Sequence, residues 1–206
     1  MPSDPNVDPG SGSGSSPEPL TIDAAWDIIE RVLHDRVPAV AATLRGPASE
    51  EDLARLSATT GKPLPEDFAA SLRRHDGQDN PTKLLDFFDH FTLMSVDAMI
   101  EHSELLVDAL GDDLEDTIDW MTPDRVRPIS NCRGWLQFVE AEGQGYGLDL
   151  DPLPAGTPGQ VIYMPIDGPT PAPEFPSFRA WLSHFAVALD EGRFRIDEPD
   201  GLWLER

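Results

Sequence analysis

Apolar residues in the first half of the chain recur at three- and four-residue spacing. In IDAAWDIIERVLHDRV, Ile22, Trp26, Ile29 and Leu33 share one helical face, with Ala25 and Val32 beside it. Pro38 opens a short second helix that the pattern carries to Leu44. GPASEEDLARLSATTG follows, with Ser49 as N-cap, Asp52 in the third position, Leu53 and Leu56 as the apolar face and Gly61 as the stop. LPEDFAASLRRHDG predicts a further helix. Pro65 suits its first turn, Glu66 and Asp67 favour the positive end of the dipole, and Phe68 and Leu72 lie four apart. Arg73, Arg74 and His75 then complement the negative end, and Gly77 supplies a left-handed cap. His75 beside Asp76 could shuttle protons, but a helix end explains every residue of the stretch. Ser95 caps VDAMIEHSELLVDAL, whose expected buried side is Val96, Met99, Ile100, Leu106, Val107 and Leu110.

The second half alternates instead. VRPIS predicts a short strand, and WLQFVE a strand with Trp135, Gln137 and Val139 opposite Leu136, Phe138 and Glu140. YGLDLD and QVIYM predict two more strands, separated by the loop PLPAGTPG. A closing helix begins near Ser177, buries Phe178, Trp181, Leu182, Phe185 and Leu189, and stops at Gly192. Residues 81–94 have no clean period and predict a loop with short extended pieces. Helices, a strand meander and a closing helix together predict an α+β fold, an antiparallel sheet with flanking helices. The expected organisation is a Gly/Ser/Pro-rich disordered tail over residues 1–20, one domain over 21–196 and a C-terminal tail over 197–206.

Charge adds the strongest compositional feature. The 206 residues hold 15 Lys+Arg against 38 Asp+Glu, a formal net charge of −23. Such a field repels nucleic acid and anionic membranes and attracts a basic partner, although acidity also serves plain solubility. No apolar run reaches the roughly 18 residues of a membrane span, and the N-terminus lacks the features of a signal peptide, so a cytoplasmic protein is expected. The single Cys132 excludes an internal disulfide and a multi-cysteine zinc site.

Few residues suggest chemistry. GQGYG lacks the spacing of a phosphate loop and leads into a strand, so it predicts a hairpin turn. Asp149 and Asp151 would share one strand face and could hold a divalent cation, but the sequence favours a solvent-facing strand edge with Asp151-Pro152 starting a turn. His34, His75, His90, His102 and His184 are scattered, and no GxSxG occurs. No cofactor, metal or catalytic set is predicted. From Leu84 to Asp124 there is no Lys or Arg. Glu101, Glu104 and Asp108 would share the outer face of one helix, and Asp112, Asp113, Glu115 and Asp116 extend it. Like charges that close destabilise a helix, and a docking surface for a basic protein is one reason to carry them; a solvated face is the other. Trp120 follows this run, and the sequence favours its burial against the sheet over an exposed anchor. Glu101, Glu104, Asp108, Asp112, Asp113, Glu115, Asp116 and Trp120 are therefore the candidate partner-binding residues.

The ordered sum of segments resembles the SUKH superfamily, the Smi/Knr-like domains. The resemblance rests on Pro47-Ala48-Ser49, Leu64-Pro65-Glu66-Asp67, His75-Asp76-Gly77, LMSV before a helix, LDLDPLPAGTPGQVI from Leu148 to Ile162, and Ser177-Phe178 with Trp181-Leu182. It covers about residues 22 to 192. It implies a single α+β domain with a central antiparallel sheet, no common catalytic residues, and a protein-binding function. Bacterial relatives are regarded as immunity proteins against toxins, and fungal relatives as interaction hubs in cell-wall regulation. The expectation is an immunity-type protein that neutralises a basic toxin or effector, the alternative being a regulatory or scaffold protein of the cell-wall regulator type.

Overall fold

The computed structural model describes residues 18–82, 85–115, 117–121, 123–166, 172–197 and 201–205. Each helix begins where the local chemistry predicts. Thr21 Oγ1 accepts from Ala24 N at the start of α1 (Ile22–Arg36). The short α2 (Pro38–Ala41) stops before the expected Leu44. A capping box opens α3 (Glu50–Thr60): Ser49 Oγ accepts from Asp52 N, and the Asp52 carboxylate accepts from Ser49 N. Gly61 closes α3 at φ +65°. Pro65 precedes α4 (Glu66–Leu72), Ser95 caps α5 (Val96–Leu110) and Ser177 caps α6 (Phe178–Asp190).

The strands are β1 (Thr92–Leu93), β2 (Trp135–Gln137), β3 (Val139–Glu140), β4 (Gly145–Asp149), β5 (Gln160–Met164), β6 (Pro173–Phe175), β7 (Phe194–Asp197) and β8 (Gly201–Leu204). The central sheet runs β2-β4-β5-β6, with β1-β3 and β7-β8 as separate two-stranded ladders. Every named pair is antiparallel. The architecture is the expected α+β one.

Period-two alternation assigns the two sheet faces. Leu136, Leu148 and Val161 enter the main core with α1, α4, α6 and the inner side of α5. Around it Phe138 packs edge-on to Phe178 and Trp181, at 5.2 and 4.8 Å between ring centroids. Trp135, Ile162 and Met164 point the other way, into a second, smaller cluster with Val126, Ile129 and Cys132. Both faces are thus covered.

Three expectations are corrected. WLQFVE is two strands, broken at Phe138. Its N–H donates to Tyr146 O and its carbonyl accepts from Met94 N, so β2 pairs with β4 while β3 pairs with β1. VRPIS forms no strand. It is a covering loop that buries Val126 and Ile129 on the far face, with an isolated bridge from Ile129 to Thr117. The expected C-terminal tail includes a hairpin strand: β8 buries Leu202 in the main core, and Leu204 N donates to Asp89 Oδ1. The alternating residues around Asp200-Gly201 carried that hairpin signal. Among the described residues no helix is long and apolar enough to cross a membrane.

Candidate protein-docking face

The turn between α4 and the strands seats α5. Gly77 has φ +72°, and a Cβ there would lie 2.4 Å from Ser95 N, so only glycine allows the turn to reach the helix start. Asp76 Oδ1 accepts from Val96 N, and Ser95 Oγ accepts from Ala98 N. Burial raises the Asp76 pKa above the usual carboxylate value. His75 and Asp76 serve different partners. The His75 ring meets Arg45 O through Nδ1 at 2.8 Å and Glu30 Oε1 through Nε2 at 2.9 Å, and it packs on Trp26. The pair is a structural joint.

Val96, Met99 and Ser103 face inward, and His102 Nε2 meets Gln137 Oε1 at 3.0 Å. That orientation sends Glu101, Glu104 and Asp108 outward, and all three are exposed. The helix ends at Gly111, whose carbonyl accepts from Asn131 Nδ2. In the acidic loop Asp113 Oδ1 accepts from Glu115 N, and Ile118 N donates to Pro128 O. Asp112, Asp113 and Glu115 are exposed, so the structure brings these six carboxylates to one helix and its following loop. Asp116 lies outside the described residues. Asp112 pairs with Arg133 at 3.0 Å. Among the described residues, Glu101, Glu104, Asp108, Asp113 and Glu115 meet no cation. Asp108 also sits in the last turn, where a negative charge opposes the helix dipole.

Two apolar expectations are overturned here. Trp120 is 75% exposed instead of packed on the sheet, because Val126 and Ile129 from the following loop fill the far face in its place. Leu110, expected inside, is 56% exposed, because Leu106, one turn earlier, already closes the small second cluster. Sequence reasoning also missed Leu105, Leu114 and Ile166 as exposed apolar residues. Leu105 lies four residues after Glu101 on the outer face, a spacing that could have marked it.

The other candidate chemistry resolves into structure. Asp149 is fully buried, not on a solvent edge. Its Oδ2 accepts from Gln160 Nε2 and its Oδ1 from Asp151 N, while burial pushes its pKa up to about 6. Asp151 takes Lys62 Nζ at 2.8 Å and Arg127 Nη2 at 3.1 Å, and the Lys62 hydrogen bond holds it below the usual carboxylate value. The two carboxylates thus occupy different environments with different partners. Among the described residues no group of three or more His, Cys, Asp or Glu is placed to hold a metal ion. Burial pushes the Cys132 thiol up to about 12, which makes it a poor nucleophile.

Comparison with known proteins agrees with the resemblance in the sequence. The chain is 27% identical to the cell wall biosynthesis/cell cycle regulator smi1 of Schizosaccharomyces pombe, over 92% of this chain and 40% of that protein. It is 24% identical to KNR4/SMI1 homolog 2 of Debaryomyces hansenii, over 92% of this chain and 39% of that protein. A shorter stretch, 28% of this chain and 12% of the relative, is 40% identical to human F-box only protein 3. The chain therefore spans about two fifths of the length of the two fungal proteins it matches. The family model described as SMI1 / KNR4 family (SUKH-1) matches residues 47–184, from the loop before α3 into α6, and with more than half of its length so matched the chain belongs to that family.

Proposed function

We propose that this chain is a non-enzymatic protein-binding domain of the regulatory or scaffold type, and that it docks a basic partner through the outer face of α5 and the loop after it. The observation that carries the reading is the combination at that face of cation-free carboxylates with exposed Trp120 and Leu105. Exposed aromatic anchors supply much of the energy of protein interfaces, and complementary charge supplies steering and register. The regulatory role draws on the printed description of the Schizosaccharomyces pombe relative as a cell wall biosynthesis/cell cycle regulator. An immunity-type role against a basic toxin is the second reading. The net charge of −23 favours it, because a strongly acidic inhibitor is steered towards a cationic effector.

Complementation separates the outcomes. In a strain lacking the protein, the wild-type gene restores growth under cell-wall stress. The combined Glu101→Lys, Glu104→Lys and Asp108→Lys variant fails to do so while accumulating to the same level. Full restoration by the variant would remove this face from the proposal. A neighbouring gene whose basic product is lethal without this protein would favour the immunity reading.

A further inference from the structure

Beneath the cover on the far face of the sheet lies a buried acid. Asp149 in β4 stands opposite Trp135 in β2 and Gln160 in β5 in the sheet register, so all three side chains share that face. The loop that carries Val126, Ile129 and Cys132 closes over it. Asp149 is fully buried, and the cations of this region, Lys62 and Arg127, both go to Asp151. Every hydrogen bond described at its carboxylate is one that it accepts: Asp151 N donates to Oδ1 at 3.1 Å and Gln160 Nε2 to Oδ2 at 2.9 Å. Trp135 Nε1, buried and without a hydrogen bond, is a donor as well. Gln160 spends the rest of its amide on two loops. Its Nε2 also donates to Arg125 O at 3.2 Å, and its Oε1 accepts from Thr157 N at 3.1 Å. This wiring fits the ionised acid, while burial opposes it and pushes the Asp149 pKa up to about 6. Of the other titratable groups packed here, burial keeps the Cys132 thiol neutral, and Lys62 with Arg127 keeps Asp151 charged.

We propose that Asp149 and Gln160 form a proton-operated latch on the loops that cover the far face. In the ionised form Gln160 ties Arg125 and Thr157 to the sheet. A proton taken from solvent neutralises the carboxylate and gives it a hydroxyl to donate. Gln160 Oε1 becomes its acceptor once the amide turns over, and that turn withdraws Oε1 from Thr157 N and Nε2 from Arg125 O. Arg125 O keeps Leu153 N as a donor, so the larger loss falls on Thr157. The folded protein binds this proton more readily than the unfolded chain, whose aspartates titrate near about 3.9. The contribution of this carboxyl to global stability therefore rises as pH falls from about 6 towards about 4, while the latch opens locally.

The test follows the full chain between pH 7.5 and 5.0 by carbon-13 NMR of the Asp149 carboxyl and by amide exchange expressed as protection factors. The carboxyl is expected to titrate near pH 6. In step with it, protection at Thr157 should fall at least fivefold, while protection at Leu148 in the central strand β4 holds. Asp149→Asn mimics the neutral acid, its Nδ2 donating to the turned amide, so protection at Thr157 should be low and independent of pH. Gln160→Met should keep the carboxyl titration and lose the step at Thr157. No titration of the carboxyl above pH 5, or constant protection at Thr157 while it titrates, would overturn the latch. So would a step at Thr157 that survives in Asp149→Asn. A loss shared by Leu148 would be general loosening in acid and would overturn it too. The wild-type titration decides by itself if either variant fails to fold.

Discussion

Two acidic surfaces of this molecule treat their charge in opposite ways. Around α1, α3 and α4 five carboxylates, Asp27, Glu30, Glu50, Asp52 and Glu66, have a cation built beside them. Arg74 donates to Glu30 through Nε and Nη2 at 2.6 and 2.9 Å and to Asp27 at 2.7 Å. Arg73 reaches Glu50 and Glu66, and Arg55 joins Asp52 to Asp97. The hydrogen bond from Arg74, with a further one from His75, holds the Glu30 pKa down at about 2. Among the described residues Glu101, Glu104 and Asp108 on the outer side of α5 meet no cation, with Leu105 exposed beside them and Trp120 exposed in the loop beyond. The first surface finds much of its counter-charge in its own chain. The second has the composition of an interface whose other half lies elsewhere, because the isolated chain gains nothing from placing Asp108 at the negative end of its helix.

Substitutions can break this contrast, and the largest effect belongs to the joint between the surfaces. Gly77→Ala forces a Cβ into the Ser95 backbone at a left-handed φ. A cost of about 3 kcal/mol or more is expected, read by urea denaturation, with exchange protection lost first at the start of α5. Arg74→Ala is next, at about 2 kcal/mol near pH 7, because it leaves half-buried Glu30 with His75 as its remaining partner. Glu30 is more acidic when folded, so its stabilisation is complete above pH 4.5 and is lost as pH falls towards about 2. Stability measured against pH should therefore lose part of its acid limb in Arg74→Ala.

The α5 face should behave in the reverse manner. Trp120→Ala should leave folding stability within about 0.5 kcal/mol of wild type and weaken partner binding by roughly tenfold, about 1.4 kcal/mol, in titration calorimetry. Glu104→Lys, the smallest change, should raise stability by a few tenths of a kcal/mol in thermal unfolding, since it converts repulsion with Glu101 and Asp108 into i,i+3 and i,i+4 pairs. A gain in stability accompanied by a loss of binding would mark this face as kept for association.

What was legible in the sequence was mostly what is local. Ser49, Ser95 and Ser177 cap helices through contacts three residues away, and Gly61 and Gly77 adopt the left-handed backbone their positions implied. The acidic run was equally plain, since charge is read without geometry, and its exposure follows from Val96 and Met99 fixing the inner side of α5. What depends on distant partners was not legible. Asp149 looks like an edge residue until Gln160 and the covering loop are in place, with Gln160 Nε2 also donating to Arg125 O. The break at Phe138 exists because Met94 competes for its carbonyl from the other half of the chain. Trp120 and Leu110 were misplaced for a similar reason: apolar periodicity says that a side chain seeks cover, and the small second cluster was already filled by Leu106, Val126 and Ile129.

The central claim is that the α5 face selects a basic partner. It is tested most directly by quantitative capture from native lysate at low salt, with wild type and the combined Glu101→Lys, Glu104→Lys and Asp108→Lys variant as parallel baits. The account predicts that the proteins retained by wild type are basic, elute with salt, and drop at least tenfold on the variant. Retention of the same proteins in the same amounts on both baits would contradict it, and the carboxylates of α5 would then be a solvated surface and nothing more.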